Sequence, residues 1–240
     1  MKYRAWTICC TIVTAGWSAL PLAATDEIAG RWQARAQGDK VAFVLQLPSL
    51  GAGKGGDVAF TVPAGELAAA AGTGGPRAEL RRDAGTFLFA GLVLSALPRR
   101  PPDAAGEVSF LPNPRFAGEA WGRGAPELGP GDLFHLAFHD VGAGYVRELA
   151  GLGLGELGAR EVADLKMHGV TAAYVRDLQD AGLSRLSARQ VMNLRMHRVD
   201  AETVRRLERQ AGRELSVDEL LRRSMHGTMS MDEEMGPPPR

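Results

Sequence analysis

Cysteine is nearly missing from this 240-residue chain, and its two copies, Cys9 and Cys10, fall within the first ten residues. Past them no disulfide, thiolate metal site or cysteine nucleophile can form, so stability must come from apolar burial and packing between units. Net charge is lacking as well, with 28 basic side chains against 28 acidic ones. Gly129–Leu215 repeats that balance with 12 of each, which removes the electrostatic footprint of a nucleic-acid binder. Catalytic signatures are also absent: there is no Gly-x-Ser-x-Gly elbow, no Ser-x-x-Lys and no His-Glu-x-x-His. GAGKGGD (51–57) has the composition of a phosphate loop without its spacing, because Pro48 stands where the first glycine belongs and Gly55 follows Lys54. It reads as a flexible hairpin loop.

Long apolar runs are limited to one. Ala5–Leu22 follows basic Lys2 and Arg4, carries no acidic residue and ends at Ala23 and Ala24. This is a secretory signal pattern over 1–24, implying a periplasmic or secreted chain with no membrane span after cleavage. The alternative is an inner-membrane anchor formed by the uncleaved segment.

Residues 25–125 carry the two-residue period of strands. In GRWQARAQ, Trp32, Ala34 and Ala36 alternate with polar neighbours, and after Gly38-Asp39 the run KVAFVLQL places Val41, Phe43, Leu45 and Leu47 on one side. Further strands are expected at 57–62, 78–83, 85–95 and 106–112, a short helix at GELAAAAG (65–72), and an extended loop at PRRPPD (98–103). The expected form is a small antiparallel β sandwich or barrel.

Beyond a linker near 125 the period changes to 29 residues: units 129–157, 158–186 and 187–215, a partial copy at 216–227, and a disordered tail at 228–240. His139, His168, His197 and His226 recur at one position of each copy. Each unit predicts two helices. Ser187 with Gln190 and Ser216 with Glu219 form capping boxes for the first, which should stop just past the histidine at Asp140, Gly169, Arg198 or Gly227. Thr171 and Asp200 cap the second, whose inward residues are Tyr145, Val146 and Leu149, then Tyr174, Val175 and Leu178, then Thr203, Val204 and Leu207. Leu157, Leu186 and Leu215 staple each unit to the next. The fold class expected is therefore α+β with two domains, a β domain followed by an α-helical hairpin repeat array.

One histidine per unit suits a helix-end cation better than a row of metal ligands, because copies lie about 10 Å apart along a stack while zinc gathers its ligands about 2 Å from one point. Lower-ranked metal candidates are His135 with His139, four residues apart near Asp132, and His226 with Met229, Met231 and Met235, whose thioethers suit copper(I). No cofactor is expected. Polar positions that vary between copies, Lys166, Gln179, Arg195 and Glu208, are the candidate partner-binding residues.

LKMHGVTAAYVRDLQDAGLSRLSARQVMNLRMHRV and LAFHDVGAGYVRELAGLGL resemble the helical repeat of bacterial proteins related to penicillin-sensor-type regulatory metallopeptidases, where it forms a region outside the membrane. GRWQARAQGDKVAFVLQL and RRDAGTFLFAG are similar to the domain that accompanies it. The peptidase portion is missing, so the resemblance implies a detached accessory or sensory module and carries no proteolysis or β-lactam sensing to any residue. The leading expectation is an exported non-catalytic module that binds a protein or cell-envelope partner through its repeats. The alternatives are periplasmic copper or zinc handling and a cryptic hydrolase in the strand segment.

Overall fold

The computed structural model describes residues 27–48, 57–70, 75–92 and 104–232, with the backbone alone at Ala104 and 226–232. The signal segment, the loop at 98–103, most of GAGKGGD, the residues beyond Asp232 and the side chains of His226, Met229 and Met231 lie outside that description.

Seven strands form one antiparallel sheet: β1 Ile28–Gln37, β2 Lys40–Gln46, β3 Asp57–Pro63, β4 Leu67–Ala70, β5 Arg77–Arg82, β6 Gly85–Ala90 and β7 Ala104–Pro112. Their spatial order is β3-β2-β1-β7-β6-β5-β4, so β3 and β4 are opposite edges. Only the 3₁₀ turn Ala64–Glu66 joins those edges. Four residue steps span at most about 14 Å, whereas the edges of a flat seven-stranded sheet lie about 29 Å apart. The sheet therefore curls into a half-barrel. Rings from non-adjacent strands meet inside it, Phe43 and Phe89 with centroids 4.4 Å apart and Trp32 edge-on to Phe89 at 6.2 Å. The alternation read in β1 and β2 holds, with Trp32, Ala34, Val41, Phe43 and Leu45 buried.

The helix expected at 65–72 is replaced over 65–70 by the end of the 3₁₀ turn and by β4, and 71–72 lie outside the described residues. Alanine's helix preference is worth only tenths of a kcal/mol per residue, and here Leu67 pairs opposite Leu80 with both buried. A strand pairing with a partner thirteen residues along the chain outweighs the local preference. The strand expected over 85–95 ends at Ala90, where Gly91 turns with φ 84°.

Eight helices follow among the described residues: α1 Phe116–Trp121, α2 Pro130–Phe138, α3 Ala143–Ala150, α4 Ala159–Met167, α5 Ala172–Asp180, α6 Ala188–Met196, α7 Ala201–Ala211 and α8 Val217–Asp232. The even-numbered helices pack in chain order, as do the odd-numbered ones. The caps read from the sequence form: Gln190 N–H donates to Ser187 Oγ at 3.3 Å, Glu219 N–H to Ser216 Oγ at 3.3 Å, Tyr174 N–H to Thr171 Oγ1 at 3.1 Å and Thr203 N–H to Asp200 Oδ1 at 2.7 Å. Helices α2, α4 and α6 all stop at the histidine, and the next residue, Asp140, Gly169 or Arg198, has φ between 54° and 68°. The same 2.9 Å bond closes each end, from Val141, Val170 and Val199 N–H to Leu136, Leu165 and Leu194 oxygen. Burying that valine on that leucine outweighs the left-handed cost at Asp140 and Arg198. Thr228 stands where a fourth valine would be, and α8 runs through Gly227 to Asp232.

One apolar core runs from Ile28 to Leu220 without a break at 125. Helix α2 joins sheet to helices, with Phe138 edge-on to Phe60 of β3 at 5.3 Å and Phe134 against Phe87 of β6 at 5.6 Å and Phe110 of β7 at 5.4 Å. No helix among the described residues is long and apolar enough to cross a membrane.

Candidate functional site

Consecutive units are tied by a strut that appears twice at a 29-residue interval. Tyr145 Oη donates to Val170 oxygen at 2.8 Å, and Tyr174 Oη to Val199 oxygen at 2.6 Å. Over each ring lies a cation from the next unit, Lys166 at 5.1 Å from the Tyr145 centroid and Arg195 at 5.0 Å from that of Tyr174. Burial pushes the Tyr145 phenol up to about 12 and raises that of Tyr174 further. Thr203 replaces the tyrosine in the third unit, and the strut ends there.

Three of the four candidate partner-binding residues take part in links between units, and Glu208 bonds within its own unit. Lys166 and Arg195 cover the tyrosines, Gln179 Nε2 donates to Leu152 oxygen at 2.8 Å, and Glu208 Oε1 accepts from Leu215 N–H at 3.1 Å.

The sheet is fastened to the first unit by a second set of polar contacts. Gly142 occupies the cap position that Thr171 and Asp200 fill later, and it has no side chain to offer. Asp83, in the turn between β5 and β6, supplies the missing acceptor, receiving Ala143 N–H at 2.9 Å. Beside it Arg82 pairs with Glu66 at 2.7 Å and Asp140 at 3.2 Å, and Lys166 lies 4.0 Å from Asp140. Glu66, Arg82 and Asp140 border a cleft of about 260 Å³ that includes Phe60, Phe138 and His139. Both carboxylates face one guanidinium, so the arrangement locks β5, the β3–β4 turn and the end of α2 together.

His139 is half-buried against Phe138, with ring centroids 5.0 Å apart. Burial, and then His135, hold its imidazole below the ordinary range, while Asp164 opposes them. His135 is exposed at the start of that turn. Among the described residues no three His, Cys, Asp or Glu side chains converge as a metal site.

The feature that sequence reading missed is apolar and exposed. Met167, Met196 and Met225 retain 53%, 54% and 43% of their accessible surface, and they too stand 29 residues apart. Each immediately precedes a unit histidine, in LKMH, LRMH and RSMH, so the signal was printed beside the histidines that drew attention. In α6 the buried Val191 and Leu194 face the core. Counting 100° per residue, Met196 projects on the opposite side, while Met192 is partly buried against the core. A shallow cleft of about 370 Å³ beside Met196 is lined by Tyr174, Arg195, Arg198, Val199 and Asp200.

Fold and face together define an α+β protein whose rolled antiparallel sheet continues into packed helices bearing a periodic apolar surface. No protein-family model, curated protein or solved structure matches the chain.

Proposed function

We propose that this chain is an exported, non-catalytic interaction module that binds a protein or cell-envelope partner through its helical units. In this reading the helices are a hairpin repeat array appended to a β domain, the chain works in the periplasm or outside the cell, and it is a detached relative of the extracytoplasmic part of penicillin-sensor-type regulators. The carrying observation is the row of exposed methionines at 167, 196 and 225. Large apolar side chains repeated at one position of successive units form a surface that water alone does not favour, and such surfaces mark docking sites. Tyr145, Tyr174 and Gln179 are engaged in holding units together, and the outward face of α4 and α6 carries Met167 and Met196 exposed.

The test uses the full chain and its Met167→Glu/Met196→Glu/Met225→Glu variant as baits in cell-envelope extract, with circular dichroism to verify equal folding. A partner held by the first and lost by the second is expected. Identical partner sets would overturn the reading.

A further inference from the structure

The face that carries Met196 has a counterpart already in use. Stepping back by whole units, Met192 corresponds to Ala163 and Phe134, and Met196 to Met167 and Phe138. In α2 that face is seated on the sheet, where Phe134 and Phe138 pack against Phe60, Phe87 and Phe110. At the place of Phe134, Ala163 is buried and Met192 partly buried against the core, whereas at the place of Phe138 both Met167 and Met196 are exposed. Methionine is unbranched and polarisable, makes favourable sulfur contacts with aromatic edges, and suits a surface that is filled only part of the time.

Charge selects the occupant. The three full units hold four carboxylates each, while their cations rise from one (Arg147) to four to seven. From Ala188 to Val199 there is no carboxylate at all, and Arg189, Arg195 and Arg198 are exposed around Met192 and Met196. The one acid in the adjoining cleft, Asp200, is committed to capping α7. Its pKa is held down by the bonds it accepts from Thr203.

We infer that the outward face of α4 and α6 binds an acidic segment of another protein that carries aromatic side chains, its rings on Met167 and Met196 and its carboxylates at Arg189, Arg195 and Arg198. This rests on the interaction reading above and adds the partner's chemistry. Met167 and Met196 repeat the place at which α2 carries Phe138, and the charge around Met196 is positive where the partner's would be negative.

The probe is a helix-forming peptide of about 16 residues with Glu on one side and Phe and Leu on the other. Its counterparts are a version with Lys for Glu, a version with Ala for Phe, and vesicles of phosphatidylglycerol and phosphatidylcholine. The full chain is labelled at its methionine methyl carbons. Expected are shifts confined to Met167, Met196 and the neighbouring Met192, largest at the two exposed ones, an affinity that falls with added salt, and about tenfold weaker binding of either altered peptide. Arg189→Glu/Arg198→Asn and, separately, Met167→Ser/Met196→Ser should each weaken the Glu/Phe peptide by about tenfold. Equal binding of the Lys peptide, shifts at other methionines, vesicle binding without peptide binding, or self-association that fills the face would each overturn the inference. If the envelope capture depends on the methionines while the Glu/Phe peptide fails, only the partner's chemistry falls. If neither depends on them, both readings fall.

Discussion

Tyr174→Phe removes one oxygen and tests whether the units are coupled as described. Its hydroxyl donates to Val199 oxygen at 2.6 Å across the junction between α5 and the end of α6. A typical hydrogen bond contributes about 0.5–1.5 kcal/mol net, and a carbonyl left unsatisfied on burial costs about 1–3 kcal/mol. Val199 is fully buried, so a loss of about 1.5 kcal/mol is expected. In a chain of this size that lowers Tm by about 3–6 °C. Tyr145→Phe breaks the 2.8 Å bond of a less buried ring and should cost about 1 kcal/mol. The two bonds share no partner, so the double variant should show the sum. Urea unfolding gives the free energies, and amide exchange should quicken first at Val170 and Val199. High pH supplies an independent check. Burial raises the Tyr145 phenol from 10.0 to about 12. Its stabilising contribution is therefore complete below pH 10 and is lost as pH rises through about 12. Tyr145→Phe should flatten that decline. Losses under about 0.3 kcal/mol in both variants, with an unchanged alkaline limb, would refute the strut.

Asp83→Ala should destabilise by about 1 kcal/mol by uncapping α3, and adding Gly142→Thr should recover most of it by restoring the local cap seen at Thr171; no recovery in urea unfolding would refute the cross-element cap. Glu219 accepts from the Arg213 guanidinium and from Ser216 N–H, which hold its carboxyl at about 2 against an ordinary 4.5. The α8 cap is thus fully formed above pH 4.5 and lost as pH falls through about 2; a carboxyl NMR titration centred near 4.5 would contradict it. Gly106→Ala puts a Cβ 2.2 Å from Ala90 oxygen and 2.8 Å from Trp32 Nε1, displacing the 3.1 Å bond between them. Overpacking of this kind costs about 1–3 kcal/mol, and an unchanged Tm with unshifted indole fluorescence would count against the packing described.

Local signals were legible because their physics is local. Ser187 and Gln190, Thr171, Asp200 and the His-Gly turn involve partners within a few residues, so spacing alone places them. Arg198 shows the same principle with an unsuitable residue: the buried valine that follows enforces a turn that arginine would not choose. The contacts of the candidate partner residues Lys166, Gln179 and Arg195 were not legible, because they join segments far apart in the chain. Lys166 and Arg195 vary little in character and lie over tyrosines from the preceding unit, contacts that span twenty-one positions of chain.

The 29-residue beat, the alternating strands and the missing catalytic motifs were determined by the sequence alone, since each depends on periodicity or on residue type. Tertiary structure decided which copy of a repeated face is covered. Phe138 and Met196 hold the same place in their units, yet one is packed against β3 and the other meets solvent. It also decided that a turn aspartate in the sheet caps a helix 60 residues later. Such contacts depend on how the half-barrel curls and where α2 crosses it, and loop closure between distant segments leaves no periodic trace in the chain.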